Sequence, residues 1–368
     1  MRFKGKRARL AEVAGLVAQA VAGKSTKKIF ECLRIVSGDR GVEFAGTDLE
    51  VAIRYRMDED VEVVEPGEAV VPAQLLANVL REIGDETVSI AVARRKLTLE
   101  TDGGFFELEC EDPVQYPEIP EFPASGACAV AATDLRELVH KTVFAAGKEA
   151  ARFVLNGVKL SVGKDRLRFV ATDGRRLAML DRPVERTNGR EGREATAIVG
   201  VKGLQHFERV SAEVDGSVDL ALADRFVAIR TARAEVTARV MDGAFPDVDQ
   251  IVPKDVPNAA SVPVGVLHSR LKQARQFASV ESQSVALAFR EGELTISAAG
   301  GDGRAEVRLG VEYEGPEERI GFNPVFLMDA LKVVHGETIR FAFKNANGAA
   351  KISDEKGLVY VVMPVLLD

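Results

Sequence analysis

The spacing of apolar residues predicts the same series of elements three times along this chain. Each series has an amphipathic helix, four short strands, a second amphipathic helix and three further strands. Apolar residues recur at i, i+3 and i+4 spacing in both sets of helices. The first helices begin their apolar stripes at Leu10, Leu135 and Leu267, and the second helices begin theirs at Leu75, Leu204 and Leu327. Both sets recur about every 125–130 residues, so the pattern predicts that one architectural unit was triplicated.

A three-strand meander is predicted after each second helix, because apolar and polar residues alternate in short runs separated by turn residues. Asp102-Gly103 and Asn347-Gly348 occupy two of these turns. The strands come in runs rather than alternating singly with helices, which favours antiparallel sheets and an α+β fold over parallel βαβ units. The predicted meander strands are residues 87–92, 96–101, 105–111, 217–223, 226–231, 235–241, 338–344, 349–354 and 359–363.

Three helix starts carry signals in the sequence. Asn323 followed by Pro324 is typical of an N-cap and a first helical residue. Asp134 with Glu137 three residues later resembles a capping box. Pro72 is predicted to open the second helix of the first unit.

Two proline-rich segments divide the chain into three predicted domains. Residues 112–123 contain four prolines and residues 245–257 contain three. We therefore predict domains over residues 1–124, 125–256 and 257–368. Each is of ordinary size, and 46% apolar residues suffice for a core in each. Because no low-complexity tract or long linker separates the domains, we expect them to keep a fixed arrangement.

The composition indicates a cytoplasmic protein without a membrane segment. Cys32, Cys110 and Cys128 are scattered and odd in number, which is typical of reduced thiols in the cytosol. The basic N-terminus precedes an Ala/Val/Leu-rich stretch, as in a signal peptide. However, Glu12 and Gln19 interrupt that stretch, and it agrees better with the first repeat helix. No apolar run approaches the length of a transmembrane helix.

The charge of the chain is divided unevenly between the predicted helices and the rest. The formal net charge is −7, yet the six helices contain ten Lys and Arg against six Asp and Glu, which leaves −11 elsewhere. If the helices shared one face of an assembly, that face would be basic and the strand face acidic. Charge alone favours ordinary scatter among solvated side chains over this partition. The helices are predicted over residues 9–22, 72–83, 133–146, 201–211, 264–278 and 324–335.

The search for catalytic chemistry returns little. The sequence contains no Walker A loop, no GxSxG elbow and no HExxH motif. Gly300 to Gly303 lack the third glycine and the following helix of a dinucleotide fingerprint, so we expect a turn between strands there. On each predicted helix that carries a histidine, a partly exposed structural role is favoured over metal ligation. These residues are His140, His206, His268 and His335. The sequence predicts neither a cofactor nor a metal site.

Several short segments, spread over all three repeats, occur in the order and at the spacing found in one protein family. They are Gly46–Glu50, Leu155–Gly157, Ala171–Ala178, Asp242–Asp247, Ile320–Asn323 and Tyr360–Pro364. Together with the triplication, they resemble the bacterial sliding clamp family, the beta subunit of DNA polymerase III. The resemblance covers essentially the whole chain.

This resemblance implies a three-domain α+β protomer, with two helices packed on antiparallel sheets in each domain, and a ring formed by a head-to-tail homodimer. The helices would line the hole and face phosphates through water, and the acidic sheets would lie outside. Such a processivity factor encircles double-stranded DNA without sequence preference. It tethers the replicative DNA polymerase, the clamp loader and other clamp-motif proteins, and it has no active site or cofactor of its own.

Two other function classes remain open at this point. One is a diverged clamp paralogue that binds partner peptides without being loaded on DNA. The other is an enzyme with an unrecognised active site on a repeated α+β scaffold. Co-purification with the replicative polymerase separates the clamp from the paralogue, and a hydrolase or transferase screen addresses the enzyme.

The resemblance also implies a peptide-binding cleft between the second and third domains. An apolar stretch at the chain end, residues 361–367, agrees with it, since an apolar tail must be docked and offers anchor surface. One face of the last strand is also expected to be core, which makes Met363 and Pro364 better candidates for the exposed wall. The matching residues are Leu155, Thr172, Gly174, Arg175, Arg176, Leu177, Pro246, Ile251, Asn323, Phe326, Val361, Val362, Met363, Pro364 and Val365.

Some positions depart from the family pattern and predict a shifted peptide preference. Arg175 stands where His is frequent, Ser282 stands where the family has a pocket aromatic, and the tail from Val365 to Asp368 lacks a common basic residue.

Five positions match residues near the duplex in the family: Lys24, Lys148, Arg152, Phe153 and Lys202. Glu149 places an acid among them, which weakens the expected contact. Each lone lysine is otherwise an ordinary surface residue.

Three positions match the family's dimer interface: Phe106 and Leu108 on a domain-one edge strand, and Phe277 beside the domain-three helix. The joint is expected to extend a sheet across the two protomers, and ring closure would remove both edges. The alternative is that these three residues belong to the cores of their own domains.

Overall fold

The structure is a computed structural model that describes residues 1–123, 126–148, 153–187, 194–279 and 283–367. The chain forms two compact units. Unit 1 comprises Met1–Thr133, Glu185–Glu191 and Lys202–Val240. Unit 2 comprises Asp134–Val184, Gly192–Val201 and Met241–Asp368.

All six predicted helices are present, each at or within a few residues of its predicted bounds. Two of them, predicted over 133–146 and 264–278, end earlier as α-helices and are followed by 3-10 turns at Val143–Ala145 and Arg275–Phe277. A further one-turn helix was not predicted. In the described residues the α-helices are α1 (Arg7–Ala18), α2 (Ala73–Glu82), α3 (Ala132–His140), α4 (Val201–Ser211), α5 (Val248–Ile251), α6 (Val264–Ala274) and α7 (Pro324–Leu331).

Two predicted helix starts are confirmed and one is wrong. The Asn323 side chain accepts a hydrogen bond from the Val325 backbone N–H at 2.9 Å, with Pro324 as the first residue of α7. Pro72 immediately precedes α2. The capping box at Asp134 is wrong, because α3 already begins at Ala132 and Asp134 lies in its first turn.

The strands include all nine predicted meander strands. Unit 1 contains β1 (Arg2–Lys6), β2 (Cys32–Gly38), β3 (Gly41–Thr47), β4 (Val51–Met57), β5 (Val61–Glu65), β6 (Gly67–Pro72), β7 (Thr87–Ala93), β8 (Lys96–Thr101), β9 (Gly104–Glu109), β10 (Ala127–Ala131), β14 (Arg186–Thr187), β16 (Ser217–Leu222), β17 (Phe226–Arg230) and β18 (Ala234–Arg239). Unit 2 contains β11 (Gly157–Val162), β12 (Arg166–Thr172), β13 (Arg176–Pro183), β15 (Ala195–Gly200), β19 (Asn258–Pro263), β20 (Val285–Arg290), β21 (Glu293–Gly300), β22 (Gly303–Gly310), β23 (Glu318–Phe322), β24 (Thr338–Phe343), β25 (Ala350–Ser353) and β26 (Val359–Val362).

Unit 1 contains two antiparallel sheets. The smaller has the strand order β5-β1-β7-β8-β9, so β9 is an edge strand. The larger has the order β14-β10-β16-β17-β18-β4-β3-β2-β6. In it, β18 pairs with β4, for example through Val236 and Ile53, so the second meander continues the sheet of the first repeat.

Unit 2 also contains two antiparallel sheets. The larger has the order β15-β11-β12-β13-β26-β25-β24-β19, and the smaller has the order β22-β21-β20-β23, with β22 at an edge. Phe289, Phe322, Phe341 and Phe343 are fully buried and pack ring against ring, with centroids 4.7 Å apart for Phe289 and Phe343. The expected turn between Gly300 and Gly303 joins β21 to β22.

The predicted domain boundaries at residues 124 and 256 stay a prediction, because the two compact units follow sheet continuity rather than the sequence repeat. The strands of the second repeat are shared, with β16 to β18 in unit 1 and β11 to β13 in unit 2. A repeat can be recognised from local periodicity, whereas strand pairing between repeats depends on residues distant in sequence.

Two further observations concern side chains. Leu75, predicted to begin an apolar stripe, is half exposed, and α2 instead buries Ala73, Leu76 and Leu80. The three cysteines are free thiols and buried. Among the described helices, none combines the length and the apolar character needed to cross a bilayer.

Candidate peptide-binding site

The site predicted for peptide binding lies in unit 2, where β13 pairs with β26. Arg176 is opposite Val362 and Leu177 is opposite Val361. The turn before β13 is fixed by Thr172, whose hydroxyl donates to the Arg176 carbonyl at 2.6 Å and accepts from the Gly174 N–H at 3.1 Å. Gly174 has φ +88°, a left-handed conformation that favours glycine.

The apolar tail is docked, as predicted. The Met363 N–H donates to the Arg175 carbonyl at 2.9 Å, and the Val365 N–H donates to the Gly321 carbonyl at 2.9 Å. A Cβ at Gly321 would lie 2.4 Å from the Val365 carbonyl oxygen, so glycine permits this close approach. Met363 lies just after the end of β26 and is 44% exposed, as expected for a pocket wall.

The tail begins at Val361, which belongs to a buried apolar cluster that we call the floor. Leu177 and Val361 are each 1% exposed and pack with Val170 and Val248. Phe245 packs against this cluster and also against the neighbouring cluster that contains Leu155. The floor therefore connects predicted site residues of the second repeat, such as Leu155 and Leu177, with Val361 of the third repeat.

The predicted residues divide into buried and accessible sets. The buried members are expected to support the surface rather than form it, and the assignment of these residues to a peptide site stays a prediction. The buried residues are Leu155, Thr172, Arg176, Leu177, Val361 and Val362. The exposed or half-buried residues are Gly174, Arg175, Pro246, Ile251, Asn323, Phe326, Met363, Pro364 and Val365. Ser282 lies outside the described residues.

Arg176 is the most highly connected side chain of the site. Its Nε donates to Asp173 at 3.0 Å, one Nη to Asp329 at 2.9 Å, and the other Nη to the Phe144 carbonyl at 2.8 Å. The guanidinium lies over the Phe326 ring, 4.6 Å from its centroid. Burial by itself would lower the pKa of Arg176, but the bond to Asp329 and the nearby carboxylate of Asp173 outweigh burial, so the pKa is raised.

Asp329 and Phe144 were not predicted from the sequence. Asp329 is one of several acids on polar helix faces, and nothing in its sequence neighbourhood marks its partner, which lies 153 positions away. Burial by itself would raise the pKa of Asp329. The hydrogen bonds from Arg176 and Lys332 outweigh burial, so the pKa is lowered.

The residues predicted to lie near DNA have different environments. Lys24 and Lys148 are exposed. Lys202 is ion-paired with Asp48 inside unit 1, so its charge is already compensated. Arg152, Glu149 and the side chain of Phe153 lie outside what the structure describes.

The residues predicted for the dimer interface also divide. Phe106 is 41% exposed on the edge strand β9, whereas Leu108 is 3% exposed, so for Leu108 the core interpretation holds. Phe105 on the same strand is 72% exposed and was not predicted. In unit 2, Phe277 is 39% exposed and lies beside Gly303, the first residue of the edge strand β22.

The described residues contain no group of three or more His, Cys, Asp or Glu side chains that could hold a metal ion. His206 differs from the expected partly exposed histidine: it is 5% exposed on α4, and its Nδ1 has no hydrogen-bond partner among the residues that the structure describes. Burial, followed by the charges of Arg209 and Lys202, lowers the pKa of His206 to about 4, against a small opposing effect of Asp48.

His206 is expected to make the protein acid-sensitive. Between its ordinary pKa of 6.5 and its folded value of about 4, the unfolded state binds the proton and the folded state does not. The free energy of unfolding should therefore fall as the pH drops through this window. Urea unfolding at pH 7.5 and pH 5 should show a smaller loss for His206→Gln than for the wild type. His268→Gln on α6 is the control, and an equal pH response in all three proteins would contradict the expectation.

Comparisons with known proteins agree with this architecture over almost the whole length. Residues 1–120, 129–247 and 249–366 match the N-terminal, central and C-terminal domain models of the DNA polymerase III beta subunit. A beta sliding clamp of Pseudomonas aeruginosa is 30% identical, with 100% of each chain covered. That of Bacillus subtilis is 28% identical, with 99% of each covered.

Solved structures show the same fold. A crystal structure of the DNA polymerase III subunit beta from Pseudomonas aeruginosa superimposes with a TM-score of 0.93 at 29% identity, covering 100% of both chains. The sliding clamp of Bacillus subtilis also gives 0.93, at 25% identity and full coverage. One Pseudomonas aeruginosa clamp is bound to griselimycin. The fold is thus that of a sliding clamp built from three clamp domains. The chain belongs to the DNA polymerase III beta subunit family, the bacterial beta sliding clamps.

Proposed function

We propose that two copies of this chain form a closed head-to-tail ring around double-stranded DNA and act as a processivity factor in the cytoplasm. The ring tethers the replicative polymerase, the clamp loader and other clamp-motif proteins, and it has no active site of its own. The match of all three clamp domains in order over the full chain supports this proposal most directly. Loading onto circular DNA, followed by linearisation, tests it.

The proposed interface joins β9 of one protomer to β22 of its partner. Both are edge strands with unpaired backbone groups on one side, and both have exposed aromatic side chains nearby. Pairing would remove both edges and close the ring.

Direct contact with phosphates plays a small part in the proposed DNA binding. Lys202 is paired with Asp48, and the chain as a whole carries −7, which weakens its attraction to phosphates. Retention on DNA then depends on ring closure. A diverged paralogue that binds partner peptides without being loaded on DNA is the second candidate function. The ion pair between Lys202 and Asp48 is the observation that favours it.

The proposed peptide site takes a short, partly hydrophobic segment of a partner protein. Its supporting feature is accessible apolar surface together with a buried apolar cluster: Met363 and Phe326 are accessible, and Leu177, which pairs with Val361, is buried. Apolar surface of this kind, held in place by backbone bonds to Arg175 and Gly321, is typical of a docking site.

Deletion of residues 363–368 is expected to abolish binding of a labelled peptide from the replicative polymerase, because the tail provides one wall of the site. The dimer should persist, since the deletion leaves β9 and β22 intact. Fluorescence anisotropy measures the affinity, and light scattering measures the mass. Val114→Ser is the control: Val114 is apolar and 91% exposed but lies in unit 1, outside the proposed site, so this substitution should leave peptide affinity unchanged. Peptide binding that survives the deletion would show that the site lies elsewhere.

A further inference from the structure

We propose that Arg176 and Asp329 form a strut that holds Phe326 in position in the peptide site, and that Arg176 acts through Phe326 rather than by touching the bound peptide. The inference rests on the proposed function of the site, and it assigns a role to Asp329 that the sequence did not suggest.

Arg176 has little capacity left to bind a ligand. All three of its guanidinium nitrogens donate to partners inside unit 2, at 2.8 to 3.0 Å. Its side chain is only 8% exposed. These bonds use three of its five N–H donors and pair the buried charge with Asp173 and Asp329, so a peptide would gain little by reaching it.

These hydrogen bonds join the two walls of the site. Arg176 begins β13 within the residues matched by the central domain model, and Asp329 lies on α7 within those matched by the C-terminal domain model. The carbonyl of Phe144, also from the central part, fixes the far side of the guanidinium. The planar, multiply donating guanidinium suits this bridging role, and a lysine would not reproduce it.

The strut ends on an accessible aromatic ring, that of Phe326. Phe326 is half-buried and stacks on the guanidinium at 4.6 Å, and its carbonyl accepts a bond from the Tyr360 hydroxyl at 2.9 Å. The Arg176 guanidinium thus packs on one face of the Phe326 ring. The hydroxyl of Tyr360, on β26, fixes the backbone of Phe326. Fixing such an anchor before binding lowers the entropy cost of docking.

A double-mutant cycle tests the strut, with the full-length protein and a fluorescein-labelled clamp-motif peptide from the replicative polymerase as the probe. Arg176→Met should weaken peptide affinity about tenfold in the wild-type background. In the Phe326→Ala background the same substitution should change affinity by less than about twofold, because the side chain it positions is gone. Equal losses in both backgrounds would overturn the proposal.

Asp329→Asn provides a second route if Arg176→Met does not fold. It keeps the shape and a hydrogen-bond acceptor but removes the charge, and its effect on affinity should likewise vanish with Phe326→Ala. An unchanged affinity for Asp329→Asn would overturn the proposal. The matched control is Arg168→Met on β12, because Arg168 forms a bidentate pair at 2.6 and 2.7 Å with Asp181, which is not one of the predicted site residues. Failure of the wild-type protein to bind the peptide would instead count against the proposed function.

Discussion

On a nicked DNA circle, the loaded protein is expected to withstand a high-salt wash, and cutting the circle is expected to release it. A protein held by six or more phosphate contacts loses roughly a thousandfold or more in affinity between 50 and 200 mM salt. A closed ring does not, since release requires an interface to open or a DNA end to pass through. The paired state of Lys202 makes this contrast sharper in the present chain.

The measurement is gel filtration in high salt, before and after linearisation, of protein loaded by the ATP-driven clamp loader. Unloaded protein on linear duplex is the control and should bind weakly, with loss of binding as salt rises. Retention on the linear form with free ends, or loss from the intact circle, would contradict topological tethering. The peptide-binding paralogue would then be the better account.

Replacing both Phe105 and Phe106 with glutamate is expected to convert the dimer to a folded monomer. These side chains are 72% and 41% exposed on the edge strand β9, so the core of unit 1 does not depend on them. Two added charges, next to Glu107 and Glu109, would have to be buried in the joint, which costs more than the lost apolar contact. Light scattering should give the 39.7 kDa of one chain instead of about twice that mass.

Val114→Glu is the matched control, because Val114 is apolar and 91% exposed in the same unit but not on β9. Circular dichroism should show the same helix and strand content in all three proteins. A dimer that persists unchanged in the Phe105/Phe106 double variant would rule out this edge as the interface. Leu108 is left untouched, since at 3% exposure a charge there would damage the core itself.

The proposed peptide site could be predicted only in part. Local segments of the sequence mark some of its residues, but the contacts of those residues depend on positions that are distant in the chain. The resemblance marked Arg176 and Leu177 as site residues, because short segments keep their order and spacing. Their proposed roles as strut and floor depend on contacts with Asp329 and Val248, which are remote in sequence. A single sequence gives no sign of which acid a buried arginine will meet.

The residues predicted to lie near DNA show the same limit. Lys202 was a candidate for phosphate contact because of its position on a helix, and the sequence does not reveal that Asp48 lies against it. Likewise, alternation along β9 placed Phe106 and Leu108 on one face but could not say that the unit covers only Leu108. Burial is decided by the neighbours that folding brings together.

The sequence by itself determined the threefold repeat, the helices near their observed bounds, the nine meander strands and the docked tail. These follow from apolar periodicity, turn residues and caps, which act over a few neighbouring positions. The tertiary structure alone decided that β18 continues the sheet through β4 and that β13 pairs with β26. Those pairings join distant strands by backbone hydrogen bonds that nearly any residue can make, so the local pattern does not select the partner strand.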